Sequence, residues 1–196
     1  MRRAMRTVKG IAAGGALLAA IFIAPVTAQT VHDAIGFTLS SPSLQDGGYM
    51  TLKNAGDNKA NLNCLGENVS PPLQWSNVPA GTKSFALIMV DLQGRAGQGI
   101  DHFVAYGIPA FVTGFAEGEL SKNSETFVGG KGVTGVGTYL GPCVPPASLR
   151  HYAFTLIATD LDPKELPPGL RRDELLSKLV GHSKDAATLI GLFRHP

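Results

Sequence analysis

Residues 84–90, Ser-Phe-Ala-Leu-Ile-Met-Val, form an unbroken apolar run that ends in Asp91. Such a run predicts a central β-strand covered on both faces. Residues 102–108 alternate instead. His102, Val104, Tyr106 and Ile108 fall on one side and Phe103, Ala105 and Gly107 on the other, the two-residue period of a strand. Residues 151–159 repeat that period, with Tyr152, Phe154, Leu156 and Ala158 together and Ala153, Thr155, Ile157 and Thr159 opposite. Pro163 and Pro167-Pro168 close this segment. A change of period follows: Leu175, Leu176, Leu179 and Val180 share one helical face, and Gly181 stands at a helix stop, predicting a helix over residues 171–180. A second short helix over residues 183–189 and a closing strand through Phe193 complete the expected elements. The sequence contains 24 Gly and 13 Pro, which cut it into many short segments and favour a mainly β fold.

The N-terminus follows a different pattern. Arg2, Arg3, Arg6 and Lys9 precede an uncharged stretch from Ile11 to Ile23, then Pro25, with Val26 and Ala28 at the positions a signal peptidase reads. The uncharged stretch falls short of the roughly 20 residues a membrane span needs. Residues 1–28 therefore read as a signal peptide cleaved before Gln29, residues 29–36 as a short mature leader, and residues 37–196 as one domain without internal repeat or long linker. An uncleaved N-terminal anchor is the competing reading. Export places the chain in the periplasm or outside the cell. Cleavage leaves 13 Lys+Arg against 15 Asp+Glu, a formal net charge of −2, with no basic run for nucleic acid. It also leaves no transmembrane segment. Cys64 and Cys143 are the only cysteines. In an oxidising compartment an even pair reads as a disulfide, and the alternative is two buried thiols.

Few short motifs carry chemistry. Gly130-Lys131-Gly132-Val133-Thr134-Gly135 matches Gly-x-Gly-x-x-Gly, but no strong strand leads in and prolines follow from Pro142. The strand-to-helix turn that cradles phosphate cannot form there, so the segment reads as a loop. Gly-x-Ser-x-Gly and His-Glu-x-x-His are absent. Asp91, Asp101, His102 and His151 have metal-ligand chemistry, yet adjacent Asp101 and His102 on a strand point to opposite faces. Neither a metal nor a cofactor is expected. Asn68-Val69-Ser70 has the glycosylation pattern, but Pro71-Pro72 follows at once, which favours a turn built on the Asn and Ser side chains. Trp75 reads as a core anchor.

One ordered set spans the domain. It begins with Cys64-Leu65-Gly66-Glu67-Asn68-Val69-Ser70-Pro71-Pro72-Leu73-Gln74-Trp75 and the strand ending in Asp91. Asp101-His102-Phe103, Gly141-Pro142-Cys143 and His151-Tyr152-Ala153-Phe154 follow. The set resembles the phosphatidylethanolamine-binding protein (PEBP) family, in its bacterial Raf kinase inhibitor-like branch, from about Phe37 to Phe193. The resemblance implies a β-sandwich with a large antiparallel Greek-key sheet, a smaller sheet and short C-terminal helices. It also implies a small open pocket for phosphate or a phospholipid head group.

By position, Asp91 matches the first Asp of the family's Asp-Pro-Asp motif, His102 its pocket histidine, Gly141 and Pro142 its Gly-Pro loop, and Tyr152 the end of its His-Arg-Tyr motif. Two departures stand out. Asp91-Leu92-Gln93-Gly94-Arg95 lacks the second carboxylate and both prolines, which predicts a looser rim. Arg150-His151-Tyr152 transposes His-Arg, and a one-residue shift on a strand exchanges the side chain facing the pocket. Either Arg150 replaces the histidine there or it is a solvated charge. The leading expectation is a binding protein for a small anion or head group, held by Arg150, His102 and backbone donors near Gly141, with Asp91 orienting His102. A protein-partner modulator, such as a protease or kinase inhibitor-like protein, is second. A hydrolase using Asp91, His102 and Tyr152 is third, since no activated nucleophile accompanies them.

Overall fold

A computed structural model describes residues 36–135 and 137–196. The expected signal peptide, and all but the last residue of the expected leader, lie outside the described residues. The β-rich reading holds. A large sheet has the order β2-β9-β8-β4-β5-β7 and a small one the order β1-β3-β6. The small sheet consists of β1 (Thr38–Ser40), β3 (Leu73–Ser76) and β6 (Gly114–Phe115). The large sheet contains β2 (Gly48–Tyr49), β4 (Ser84–Asp91), β5 (Ile100–Pro109), β7 (Val128–Gly129), β8 (Leu149–Thr159) and β9 (Ser183–Arg194). Its pairs are antiparallel except for the two-residue parallel contact of β2 with β9.

Both faces of β4 are buried, as its continuous apolar run requires. Phe85, Leu87 and Met89 face the small sheet and pack in one cluster with Phe37, Leu39 and Trp75. Trp75 lies edge-on to Phe85, with ring centroids 5.4 Å apart, and serves as the expected anchor. Ala86, Ile88 and Val90 point the other way, into a second cluster with Leu175 and Leu179 of the helix Arg172–Leu179. Only two of the four apolar positions expected to share the helix's inner face are buried. Leu176 is 42 % exposed and Val180 78 %.

The second helix expected over residues 183–189 does not form. That segment is the first half of β9, paired with β8 from Thr159↔Ser183 through Leu149↔Arg194. Its deciding pattern is the two-residue burial of Ala187, Leu189, Gly191 and Phe193. Pairing along an 11-residue neighbour outweighs the weak helical tendency of Lys184-Asp185-Ala186-Ala187.

β5 also departs from simple alternation. Met89 pairs with Phe103 but Val90 with Asp101, so His102 is an extra residue in the ladder; a second slip occurs between Phe85↔Ile108 and Leu87↔Ala105. These bulges turn both ends of the strand over. Val104 and Tyr106 stay with the helix-side cluster, while Ile108 joins Phe103 and Ala105 on the sandwich side. Gly107 takes φ +65 at the second slip, and a Cβ there would lie 2.3 Å from the Pro163 carbonyl oxygen.

Candidate functional site

At one end of the large sheet a cavity of about 350 Å³ opens among the C-terminal end of β4, the starts of β5 and β8, and three loops. Asp91, His102, Gly141, Arg150 and Tyr152 all line it, and Pro142 does not. The Pro142 carbonyl instead accepts the Gly56 N–H at 2.8 Å, which fixes the loop from behind.

Register explains the convergence. Asp91 pairs with Tyr152, and on β8 the residues two apart, Arg150 and Tyr152, share a face. Arg150 therefore enters the cavity, with Nη1 3.5 Å from Asp91 Oδ2, and His151 faces away. The bulge on β5 brings His102 to the same side, where its ring meets Tyr152 edge-on at 5.1 Å. As expected for neighbours, Asp101 is on the opposite face, 3.0 Å from Arg172 Nε. No group of three or more His, Cys, Asp or Glu suited to a metal occurs among the described residues.

The rim differs from its expected looseness. Asp91 Oδ1 accepts the backbone N–H groups of Gln93 and Gly94 at 3.0 and 3.2 Å. Gln93 in turn grips His151: its Oε1 accepts the His151 N–H at 2.9 Å, and its Nε2 lies 2.6 Å from Nδ1 of the ring. Transposing His and Arg has thus placed a charge inside and an amide partner outside, so hydrogen bonds secure the loop where prolines were absent. Beyond Gln93 the chain turns through Arg95 and Ala96, both at positive φ (50 and 56), and Arg95 reaches the cavity mouth as a second cation.

Three sequence segments build the facing wall. Asn68, at φ 57, is more than a turn residue: its Nδ2 donates to the Tyr139 carbonyl at 3.0 Å and its Oδ1 accepts the Gly141 N–H at 2.7 Å. That contact corrects one expectation, because the Gly141 amide is engaged by Asn68. Gly141 is required for another reason. A Cβ there would sit 2.2 Å from the Asn54 carbonyl oxygen. Cys64 and Cys143 form a disulfide that also lines the cavity, so the first of the two cysteine readings holds. The glycine-rich segment is a loop, as read, yet it contributes to the site: Val133 and Thr134 line the mouth, and Gly130 and Val133 donate backbone N–H groups to Val104 and Asp101 along β5. Sequence reasoning missed Asn68, Arg95 and Thr134.

The electrostatics set each group's role. Burial pushes the His102 pKa below its ordinary value near 6.5, opposed in part by its hydrogen bond to the Leu140 carbonyl and by Asp91 and Asp101. Burial also raises the Tyr152 phenol, with Asp91 adding to the effect and Arg150 opposing it. The cavity therefore holds a neutral imidazole, a neutral phenol, a carboxylate and a guanidinium. Apolar Ile100, Leu140 and Val144 form much of the remaining lining.

Comparisons with known proteins agree with this architecture. The sequence profile described as phosphatidylethanolamine-binding protein matches residues 40–194. A UPF0098 protein of Methanothermobacter thermautotrophicus is 38% identical over 133 residues, covering 67% of this chain and 86% of its own. LppC of Mycobacterium tuberculosis, named as a lipoprotein, is 33% identical over 158 residues, covering 80% and 71%. The crystal structure of Escherichia coli YbcL, described as a new member of the mammalian PEBP family, superposes with TM-score 0.71 at 26% identity, covering 81% of this chain and 98% of that one. CT736 of Chlamydia trachomatis, described as a PEBP homologue, gives 0.69 at 27% identity, covering 82% and 99%. With the sandwich, the ordered motifs and the matched profile in agreement, this chain belongs to the phosphatidylethanolamine-binding protein family.

Proposed function

We propose that this protein is an exported binding protein whose cavity holds a small anionic group, such as phosphate or a phosphorylated head group, without transforming it. The observation that carries the reading is Arg150, a permanent cation brought by β8 into a cavity with apolar walls. A guanidinium can make two parallel hydrogen bonds to an oxyanion, and partial burial strengthens them. Tyr152, 1 % exposed, makes no side-chain hydrogen bond among the described residues, so its hydroxyl is available to a guest. Binding rather than catalysis is favoured because both cysteines are joined and no serine or threonine hydroxyl lies hydrogen-bonded to His102 among the described residues. Export is supported by the signal-like N-terminus, the disulfide and the relative named as a lipoprotein. Titration calorimetry of phosphate and phosphoethanolamine at pH 5.5 and 8 tests the reading. Phosphate is expected to bind at both values and to lose its binding in Arg150→Ala. Undiminished binding in that variant rejects the assignment.

A further inference from the structure

His102 is positioned by a bond that determines what its other nitrogen can do. Nδ1 lies 2.9 Å from the Leu140 carbonyl oxygen. A carbonyl only accepts, so Nδ1 carries the hydrogen. In the neutral ring Nε2 is then a bare acceptor, and it has no hydrogen-bond partner among the described residues while the ring lines the cavity. The charged and titratable groups around it are Asp91 from β4, Asp101 from its own strand, Arg150 and Tyr152 from β8, and Arg95 at the mouth. Asp91 is a second acceptor: Oδ1 is occupied by two backbone N–H groups and Oδ2 points toward Arg150. The cavity thus presents acceptors at His102 and Asp91 as well as donors at Arg150 and Tyr152.

We infer that the cavity selects an oxyanion that retains a proton, in the form of phosphate or a terminal phosphate monoester, with Arg150 on a charged oxygen and His102 Nε2 accepting the ligand's O–H. The inference rests on the anion-binding reading above and specifies the ligand's chemistry. An anion with acceptors alone would bring lone pairs against Nε2 and Asp91, and a site that leaves buried polar groups facing no partner rejects its guest strongly. Sulfate and phosphodiesters are such anions. A cavity that read charge alone would behave oppositely and favour the more highly charged form of a monoester.

The test is calorimetry on the full mature protein with inorganic phosphate, sulfate, dimethyl phosphate and methyl phosphate. At pH 7 phosphate is expected to bind roughly tenfold or more tightly than sulfate or dimethyl phosphate. Methyl phosphate is expected to weaken from pH 5.5 to 8, as its second proton leaves at about pH 6. Sulfate binding as tightly as phosphate, or methyl phosphate tightening as it loses its proton, overturns the inference and leaves the anion pocket standing. No binding of any of the four overturns both. His102→Gln, which can turn an amide donor toward the ligand, is expected to bring sulfate within a few-fold of phosphate; unchanged preference counts against His102. Nitrogen NMR of the wild-type imidazole is independent of that variant's folding. It is expected to show hydrogen on Nδ1 alone at pH 7, and an Nε2-protonated ring would sink the assignment.

Discussion

At the scale of single residues, His102 couples the site to the stability of the fold. Burial favours its neutral form, so its folded pKa lies below the unfolded value near 6.5 and the unfolded chain takes up this proton first. Stability is therefore full above about pH 6.5 and falls as pH drops through the folded value. Asp160 acts in a lower window. Its pKa is depressed by hydrogen bonds from Lys184 and His182, so its contribution persists until the pH falls below about 3.8 and through the folded value. Urea unfolding at pH 7.5 and 5 separates the two, since the unfolded-state value of His102 near 6.5 falls between them and that of Asp160 near 3.8 does not. His102→Asn is expected to reduce the stability difference between those conditions. A difference unaltered by the substitution would assign it to other groups. Of the site residues, Asp91 and Tyr152 were placed by the family resemblance, while the choice the sequence left open at Arg150 is settled by the register of β8, which puts it on the face of Tyr152. The face of His102 was not, because alternation alone placed it with Val104 and Tyr106, and a single extra residue in the ladder reversed it.

At the scale of elements, the long strands were readable and the segments depending on a neighbour were not. β4 and β8 have runs whose period or length has one interpretation, and both formed within a residue or two of their expected bounds. Residues 183–189 have an ambiguous local pattern, and pairing with β8 decided it. Beyond the cysteine pair Cys64 and Cys143, the loops around the cavity gave no sign in the sequence of meeting. Asn68 and Gly141 are 73 positions apart and joined by one hydrogen bond, a relation that composition and periodicity do not encode. The strand assignment for β9 has a measurable consequence. Leu189 is 2 % exposed in the sandwich core, and Leu189→Ala is expected to cost about 2–5 kcal/mol by urea denaturation. Leu176→Ala, on the exposed side of the helix, is expected to change stability by less than about 0.5 kcal/mol. Equal losses at the two positions would contradict the burial pattern described for β9 and the helix.

At the scale of the whole molecule, the disulfide ties stability and binding together, because its two ends belong to the walls of the cavity. Cys64 and Cys143 are separated by 79 positions. Closing a loop of that length removes unfolded-state entropy worth about 4.5 kcal/mol on the chain-entropy model. For a domain of this size that corresponds to roughly 10–15 °C in melting temperature. The same bond holds the segment after Gly56 against the Gly141-Pro142 loop; a Cβ on Gly56 would lie 2.5 Å from Cys143 Sγ, so the contact is already close. Asn68 and the Pro142 carbonyl provide further ties between these segments. Reduction is therefore expected to loosen one wall without dismantling the sheets that carry Arg150, His102 and Tyr152. In a Cys64→Ala, Cys143→Ala variant the melting temperature should fall by the amount above, while far-ultraviolet circular dichroism at 20 °C stays close to that of the wild type. Phosphate affinity measured at that temperature should weaken, with the remaining binding still dependent on Arg150. Unaltered affinity alongside a lowered melting temperature would show that the bond restrains the unfolded chain but not the cavity.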